Sequence, residues 1–161
     1  MTDVDMKTVV PVSEMTGYDA EETDLLKDQL ARAKAYLTAF KWCHGIKEAY
    51  FGDGVGKIVA AFLFRIDSPP DVDEWIWVVT GDIPSVYMDT SGTLTPALAL
   101  DCYCFLMEEW VAAVRGEGDL SLDEVYPVDA PATPGNADAL ERRIAFIRTE
   151  IIPKMESYAE E

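Results

Sequence analysis

Two strand-length runs, Lys57–Ile66 and Glu74–Thr80, constrain this chain more than any other feature, because each is apolar on both of its faces. Side chains alternate along a strand, so Trp75 and Trp77 share one face while Ile76 and Val78 share the other. A sheet built from such strands must be covered twice. Helices are expected on one side, and a loop, another helix or a partner on the second. The longest apolar stretches, Ile58–Leu63 and Trp75–Val79, fall far short of the ~20 residues a membrane span requires.

Turn chemistry orders the strands. Lys47–Phe51 and Lys57–Ile66 flank Gly52-Asp53-Gly54-Val55-Gly56, whose glycines are expected to supply the positive-φ positions of a hairpin loop. Ser68-Pro69-Pro70 cannot continue a ladder, and the aromatic and β-branched run from Glu74 to Thr80 then reads as a third strand. Gly81-Asp82-Ile83-Pro84 is expected to turn the chain into a shorter strand over Ser85–Asp89. Consecutive strands with short connections favour an antiparallel meander.

Helical signals bracket these strands. Leu26, Leu30, Ala33, Leu37 and Phe40 recur at steps of four and three, with Asp19 and Glu22 as a capping pair and His44-Gly45 as the expected stop. Thr95-Pro96 opens a second helix running to about Arg115, with Gly116 ending it. Its Leu98, Cys102, Phe105, Leu106, Trp110 and Val111 cover more than one stripe, as in a central helix packed on several sides. A proline-rich loop with one turn around Leu120–Val125 leads to Thr133-Pro134 and a last helix. That helix carries the stripe Leu140, Ile144, Ile147 and Ile151, and Pro153 is expected to kink or end it. Residues 1–15 read as a flexible arm or a short edge strand, and 155–161 as a fraying acidic tail. The expectation is one α+β domain of 161 residues, with a meander of three or four strands and three main helices in the order α-β-β-β(-β)-α-α. A chain of this length buries enough surface, roughly 70%, to fold without metals or disulfides.

Charge supplies the functional signal. The net charge is −17, and the segment from Asp67 to Asp129 holds fourteen carboxylates against one basic residue, Arg115. Like charge concentrated over a packed core costs stability, so it points to solubility, steering or a basic partner. Residues 31–66 are net basic, but six scattered cations are a poor footprint for DNA or RNA. The charge fits capture of a basic protein, such as a toxin or a nucleic-acid-binding enzyme, by an immunity protein or a nucleic-acid-mimicking inhibitor. The expected contact surface has Tyr87, Tyr103, Trp110 and Tyr126 as anchors, with Asp101, Glu108, Glu109, Asp119, Asp123 and Glu124 providing charge. Two alternatives stand beside it. One is an enzyme or ligand-binding domain with a pocket between sheet and central helix, using Asp82 or Asp101. The other is a homodimer burying the second sheet face.

No residue cluster demands chemistry. Cys43-His44 brings a thiol beside the sole imidazole, but no orienting Asn or Asp pattern accompanies them, and a buried Cys next to a capping His is the expected reading. Cys102 and Cys104 point in different directions on one helix. Asp101 and Glu108 share a helix face and are expected to form a solvated acidic ridge. Asp53 in GDGVG lacks the ligands of a calcium loop and the Lys-Ser/Thr of a phosphate loop. No catalytic residue, cofactor or metal is therefore expected. An odd number of cysteines without framework spacing, and an N-terminus without signal-peptide layout, suggest reduced thiols and a cytoplasmic setting.

The most distinctive string is Trp75–Tyr87, in which Gly81-Asp82, Pro84 and Tyr87 hold the spacing G-D-x-P-x-x-Y. It resembles the W-x-V-x-x-G-D-x-P-x-x-Y segment of small uncharacterised bacterial proteins that surround it with helices in this order. The resemblance implies a fold and no activity. Physically, Gly81 permits a tight turn, Asp82 can cap freed amides, and Pro84 fixes the exit angle.

Overall fold

A computed structural model describes residues 2–159, and the chain forms two compact units, Met1–Ala99 and Leu100–Glu161. The first unit holds one antiparallel sheet in the order β1-β2-β3-β4-β5. Its strands are β1 (Val10–Pro11), β2 (Gly45–Val55), β3 (Val59–Asp67), β4 (Trp75–Gly81) and β5 (Ile83–Asp89). The consecutive order is the expected meander, extended by a two-residue edge strand from the N-terminal segment. Val4, Val9 and Met15 are buried, which ties that segment down.

Register explains the double apolar pattern. Phe62 pairs with Val78 and Phe64 with Ile76 on one face, while Leu63 pairs with Trp77 on the other. Helix α1 (Ala20–Thr38) lays Leu26, Ala33 and Leu37 against the first face, where they join Phe51, Ala60, Phe62, Phe64, Ile66, Ile76 and Val78 in one core. On the opposite face Leu63, Trp77 and Val79 are also fully buried, and the Trp77 indole N–H donates to the Thr93 carbonyl at 2.8 Å. Asp19 caps α1 by accepting from the Glu22 N–H at 2.8 Å.

Three local expectations are corrected. The hairpin turn lies at Gly56–Ile58, with Ile58 N–H bonded to Val55 O at 2.9 Å, while Gly52–Val55 remain in β2. Those glycines serve close packing: a Cβ on Gly54 would lie 3.0 Å from Leu26 Cδ2 and 2.9 Å from Ala60 Cβ. Helix α1 stops at Thr38, before Phe40 and Trp42 turn inward, and Gly45 sits in β2 opposite Asp67. Pro84 lies within β5, on the open edge of the sheet where a missing N–H breaks no ladder.

The second unit is helical. Helix α2 spans Pro96–Arg115, begins with the Leu98 N–H on Thr95 Oγ1 at 3.2 Å, and ends at Gly116 with φ +69°. Leu100, Tyr103, Cys104, Met107, Trp110 and Val111 are buried along one face, about a third of its circumference, while Leu98 and Phe105 are exposed, so the helix is packed on one side rather than on several. Helix α3 (Pro134–Phe146) opens with Thr133 Oγ1 accepting from Asn136 N–H at 3.2 Å. Its apolar stripe Leu140, Ile144, Ile147 and Ile151 is buried as the spacing predicts. Pro153 does not end the helix. A π-helical turn over Ile147–Ile151, with Ile152 N–H bonded to Ile147 O, precedes it, and α4 runs over Ile152–Ala159. The wider turn accommodates the proline, which has no N–H to give and would crowd the carbonyl four residues back. The helical path through Ala159 covers most of the segment expected to fray; residues 160 and 161 lie outside the described residues. The architecture is α+β, with the strands consecutive and antiparallel.

Candidate functional site

Asp101 and Glu108 stand two turns apart on one side of α2, and the fold does not leave them as a bare ridge. Arg148, in the π-helical turn, donates from Nη1 to Asp101 Oδ1 at 2.6 Å and from Nη2 and Nε to Glu108 Oε1 at 2.5 and 3.1 Å. Arg115 at the end of α2 reaches the other way, to Glu141 at 2.7 Å and Asp138 at 2.6 Å on α3. Hydrogen bonds from Arg115 hold the Glu141 carboxyl below the usual carboxylate range, and both guanidiniums are held more firmly protonated by their acids. The expected acidic ridge is thus half neutralised. Residues forty or more positions away in the chain do this, a pairing that composition could not reveal.

The four expected anchors also separate. Tyr103 is fully buried and Trp110 is 4% exposed, so both are core residues and neither offers a contact surface. Tyr87 is half-buried in an aromatic cluster of the first unit, 4.9 Å from Phe40 and 5.0 Å from Trp42 between ring centroids. Tyr126 is half-buried in the loop between α2 and α3. Glu109 is half-buried on α2.

That loop concentrates what remains of the predicted surface. From Gly116 to Glu141 the chain contains no Lys, Arg or His. Glu117, Asp119, Asp123, Glu124 and Asp129 are all exposed, and none makes an ion pair among the described residues. The loop is nevertheless ordered by its own hydrogen bonds. Glu124 accepts from the Ser121 N–H and hydroxyl, both at 3.0 Å, which lowers its pKa, and its own N–H bonds Ser121 O at 3.0 Å. Val125 is buried and pins the turn, while Leu120 and Leu122 are 36% and 44% exposed. Sequence reading placed one turn here correctly but missed these leucines as surface groups. Their single signal was two apolar residues spaced two apart between acids.

Next to the loop, α2 and α3 enclose an open groove of about 380 Å³. Val111, Ala112, Ile144 and Ala145 form its apolar walls, and Glu108, Glu117, Glu141, Arg115, Arg148 and Thr149 its polar ones.

The groups considered for chemistry are not assembled for it. Cys43 is buried, and desolvation with the nearby Asp67 charge pushes its thiol up, opposite to the shift a nucleophile needs. His44 is exposed, and its backbone N–H bonds Asp67 O. Cys104 is pushed up to about 12 by burial, and Cys102 is half-buried on a different side of α2. Among the described residues no three His, Cys, Asp or Glu side chains come together as metal ligands. Asp53 is half-buried, accepts from Gly54 N–H at 2.8 Å, and has its pKa raised by burial and by Glu22. Asp82 is exposed, and Asp101 is committed to Arg148. No described helix is long and apolar enough to cross a membrane.

Compared with family models, with curated proteins and with solved structures, the chain has no match.

Proposed function

We propose that this is a small acidic binding protein that neutralises a basic protein partner, in the manner of an immunity protein or an inhibitor that imitates nucleic-acid charge. One observation carries the reading: the loop 117–129 presents five exposed carboxylates with no compensating cation, around two exposed leucines. The arrangement supports a two-part mechanism. Unpaired acids steer a cationic surface toward the loop, and their effect falls as salt shortens the Debye length to about 8 Å at physiological strength. Leu120 and Leu122 then supply the apolar contact that long-range charge cannot. The acids paired to Arg148 and Arg115 contribute less, because their potential is already offset.

The test begins with a pull-down from the native cell, read by mass spectrometry, to obtain the partner. Association is then followed by stopped flow for the wild type and for Asp119→Lys/Asp123→Lys. The reversed variant should associate at least tenfold more slowly and show a flatter salt dependence, with its fold unchanged. An on-rate that ignores both salt and reversal would leave solubility as the reason for the charge.

A further inference from the structure

The groove between α2 and α3 combines an apolar interior with an acidic rim that exceeds its own arginines. Val111 and Ile144 at its base are almost fully buried, whereas Ala112 and Ala145 line its open part. Three carboxylates, Glu108, Glu117 and Glu141, face it against two guanidiniums. Those guanidiniums already donate to Asp101, Glu108, Asp138 and Glu141. An anion entering the groove would therefore compete with bound carboxylates and meet a net negative rim. A neutral apolar group would leave that rim unused. The charge complement is a cation beside an apolar group. The volume, about 380 Å³, lies at the small end of ligand sites and suits one large apolar side chain or two small ones.

We infer that the groove receives an apolar side chain from a lysine- or arginine-rich segment of the partner, with a flanking cation seated on Glu117, the one lining carboxylate that no arginine holds among the described residues. This rests on the basic-partner reading and deepens it, since Glu117 both lines the groove and begins the acidic loop. The loop attracts; the groove decides which basic surface stays. Apolar anchors of this kind act on the dissociation rate, and rim charges on the association rate.

Three twelve-residue peptides test it against the full chain: a lysine-rich peptide with a central Phe, the same peptide with Ser for Phe, and the Phe peptide with Gln for every Lys. Binding is measured by calorimetry, and its location by backbone amide shifts. The Phe-lysine peptide should perturb Val111, Ala112, Ile144 and Ala145. The other two should bind at least about tenfold more weakly, the order expected for one buried aromatic anchor or its charge complement. Ala145→Phe, which fills the groove from its exposed wall, should reduce the first peptide's affinity to that of the Ser peptide. Thr149→Phe is a second filling variant should the first disturb the helix, with circular dichroism as the check on both. Equal binding of the Phe and Ser peptides, with shifts confined to 117–129, would overturn the groove while leaving the basic-partner reading intact. Absence of binding by all three overturns the groove as well, and the salt-dependent association with the native partner then decides the broader reading alone. Self-association that Ala145→Phe abolishes would place a second copy of the chain there and refute the proposal.

Discussion

Replacing Gly81 by Ala tests how tightly the two hairpins of the sheet are locked. Gly81 has φ +153°, and a Cβ built on it would sit 2.2 Å from the Ile58 carbonyl oxygen and 2.8 Å from Val59 Cα. These are backbone atoms, so no side chain can swing away. Relief needs a movement of roughly 1 Å or more between β3 and β4 before ordinary contact distances return. That movement would strain the Asp82 N–H bonds to Lys57 O and Ile58 O, now 2.9 and 3.2 Å, and the Arg32 Nη2 bond to Gly81 O at 3.0 Å. Conformational strain at such a φ costs about 1–3 kcal/mol, and each weakened hydrogen bond about 1 kcal/mol. With the bifurcated Asp82 N–H counted as one hydrogen bond and the Arg32 bond as a second, the sum is about 3–5 kcal/mol, a large share of a typical domain's 5–15 kcal/mol.

Gly92 supplies the control. It too has positive φ, at +76°, but nothing lies within 4 Å of its missing Cβ. Gly92→Ala should therefore show strain alone, about 1–2 kcal/mol. In urea, with a slope near 2 kcal/mol/M, the Gly81→Ala midpoint should fall by roughly 1.5–2.5 M and the Gly92→Ala midpoint by less than about 1 M. Equal shifts would show that backbone approach at Ile58 contributes nothing, and the account of this turn would be wrong. A large difference makes Gly81-Asp82 a structural device and removes the need for a functional reading of the G-D-x-P-x-x-Y spacing.

Trp110→Ala should destabilise by about 3–5 kcal/mol, read by thermal or urea unfolding, because the ring is core; wild-type stability with a weakened partner complex would return it to the surface. Alkylation at pH 8 should label Cys102 first and Cys104 only on unfolding, since Cys104 is buried with its pKa pushed up to about 12; mass-mapped labelling at equal rates would contradict this. Asp53→Asn should stabilise the fold at neutral pH. The folded carboxyl has a raised pKa, so the wild type loses stability as pH climbs from the ordinary carboxylate range through that raised value, and the Asn variant should lack this loss; unfolding measured from pH 4 to 7 that gives parallel curves would refute it.

What could be read from residues alone was local. Thr95-Pro96 and Thr133-Pro134 mark helix starts because capping needs only the next turn, and both helices begin there. Trp75–Thr80 reads as a strand because alternation is visible within seven residues. The failures are long-range. Gly52 and Gly54 look like loop residues until Leu26 and Pro96 are placed against them, and then glycine becomes the residue a crowded strand requires. Gln29 falls outside every apolar stripe, yet it is buried, with its amide donating to Gly56 O and accepting from the Thr80 hydroxyl. The candidate site divides along the same line. The acid-only loop is a contiguous segment and was visible, whereas the neutralisation of Asp101 and Glu108 depends on Arg148, forty residues beyond Glu108.

The distribution of pairing bears on why the chain carries so much negative charge. If solubility were the sole pressure, acids would serve equally well wherever solvent reaches them, and arginines would have no reason to gather at one seam. In the second unit two of the four do so. Arg115 and Arg148 each hold two carboxylates across α2 and α3, which removes the repulsion that would otherwise push those helices apart. Surface pairs of this kind contribute little each, about 1 kcal/mol or less, so their effect is chiefly to shape the field. Beyond the seam the next twenty-five residues after Gly116 contain no cation at all, and the five acids from Glu117 to Asp129 stand exposed. The field is therefore weak where the helices meet and strong at the loop. That contrast within the second unit is what the proposed steering of a cationic surface toward the loop would use.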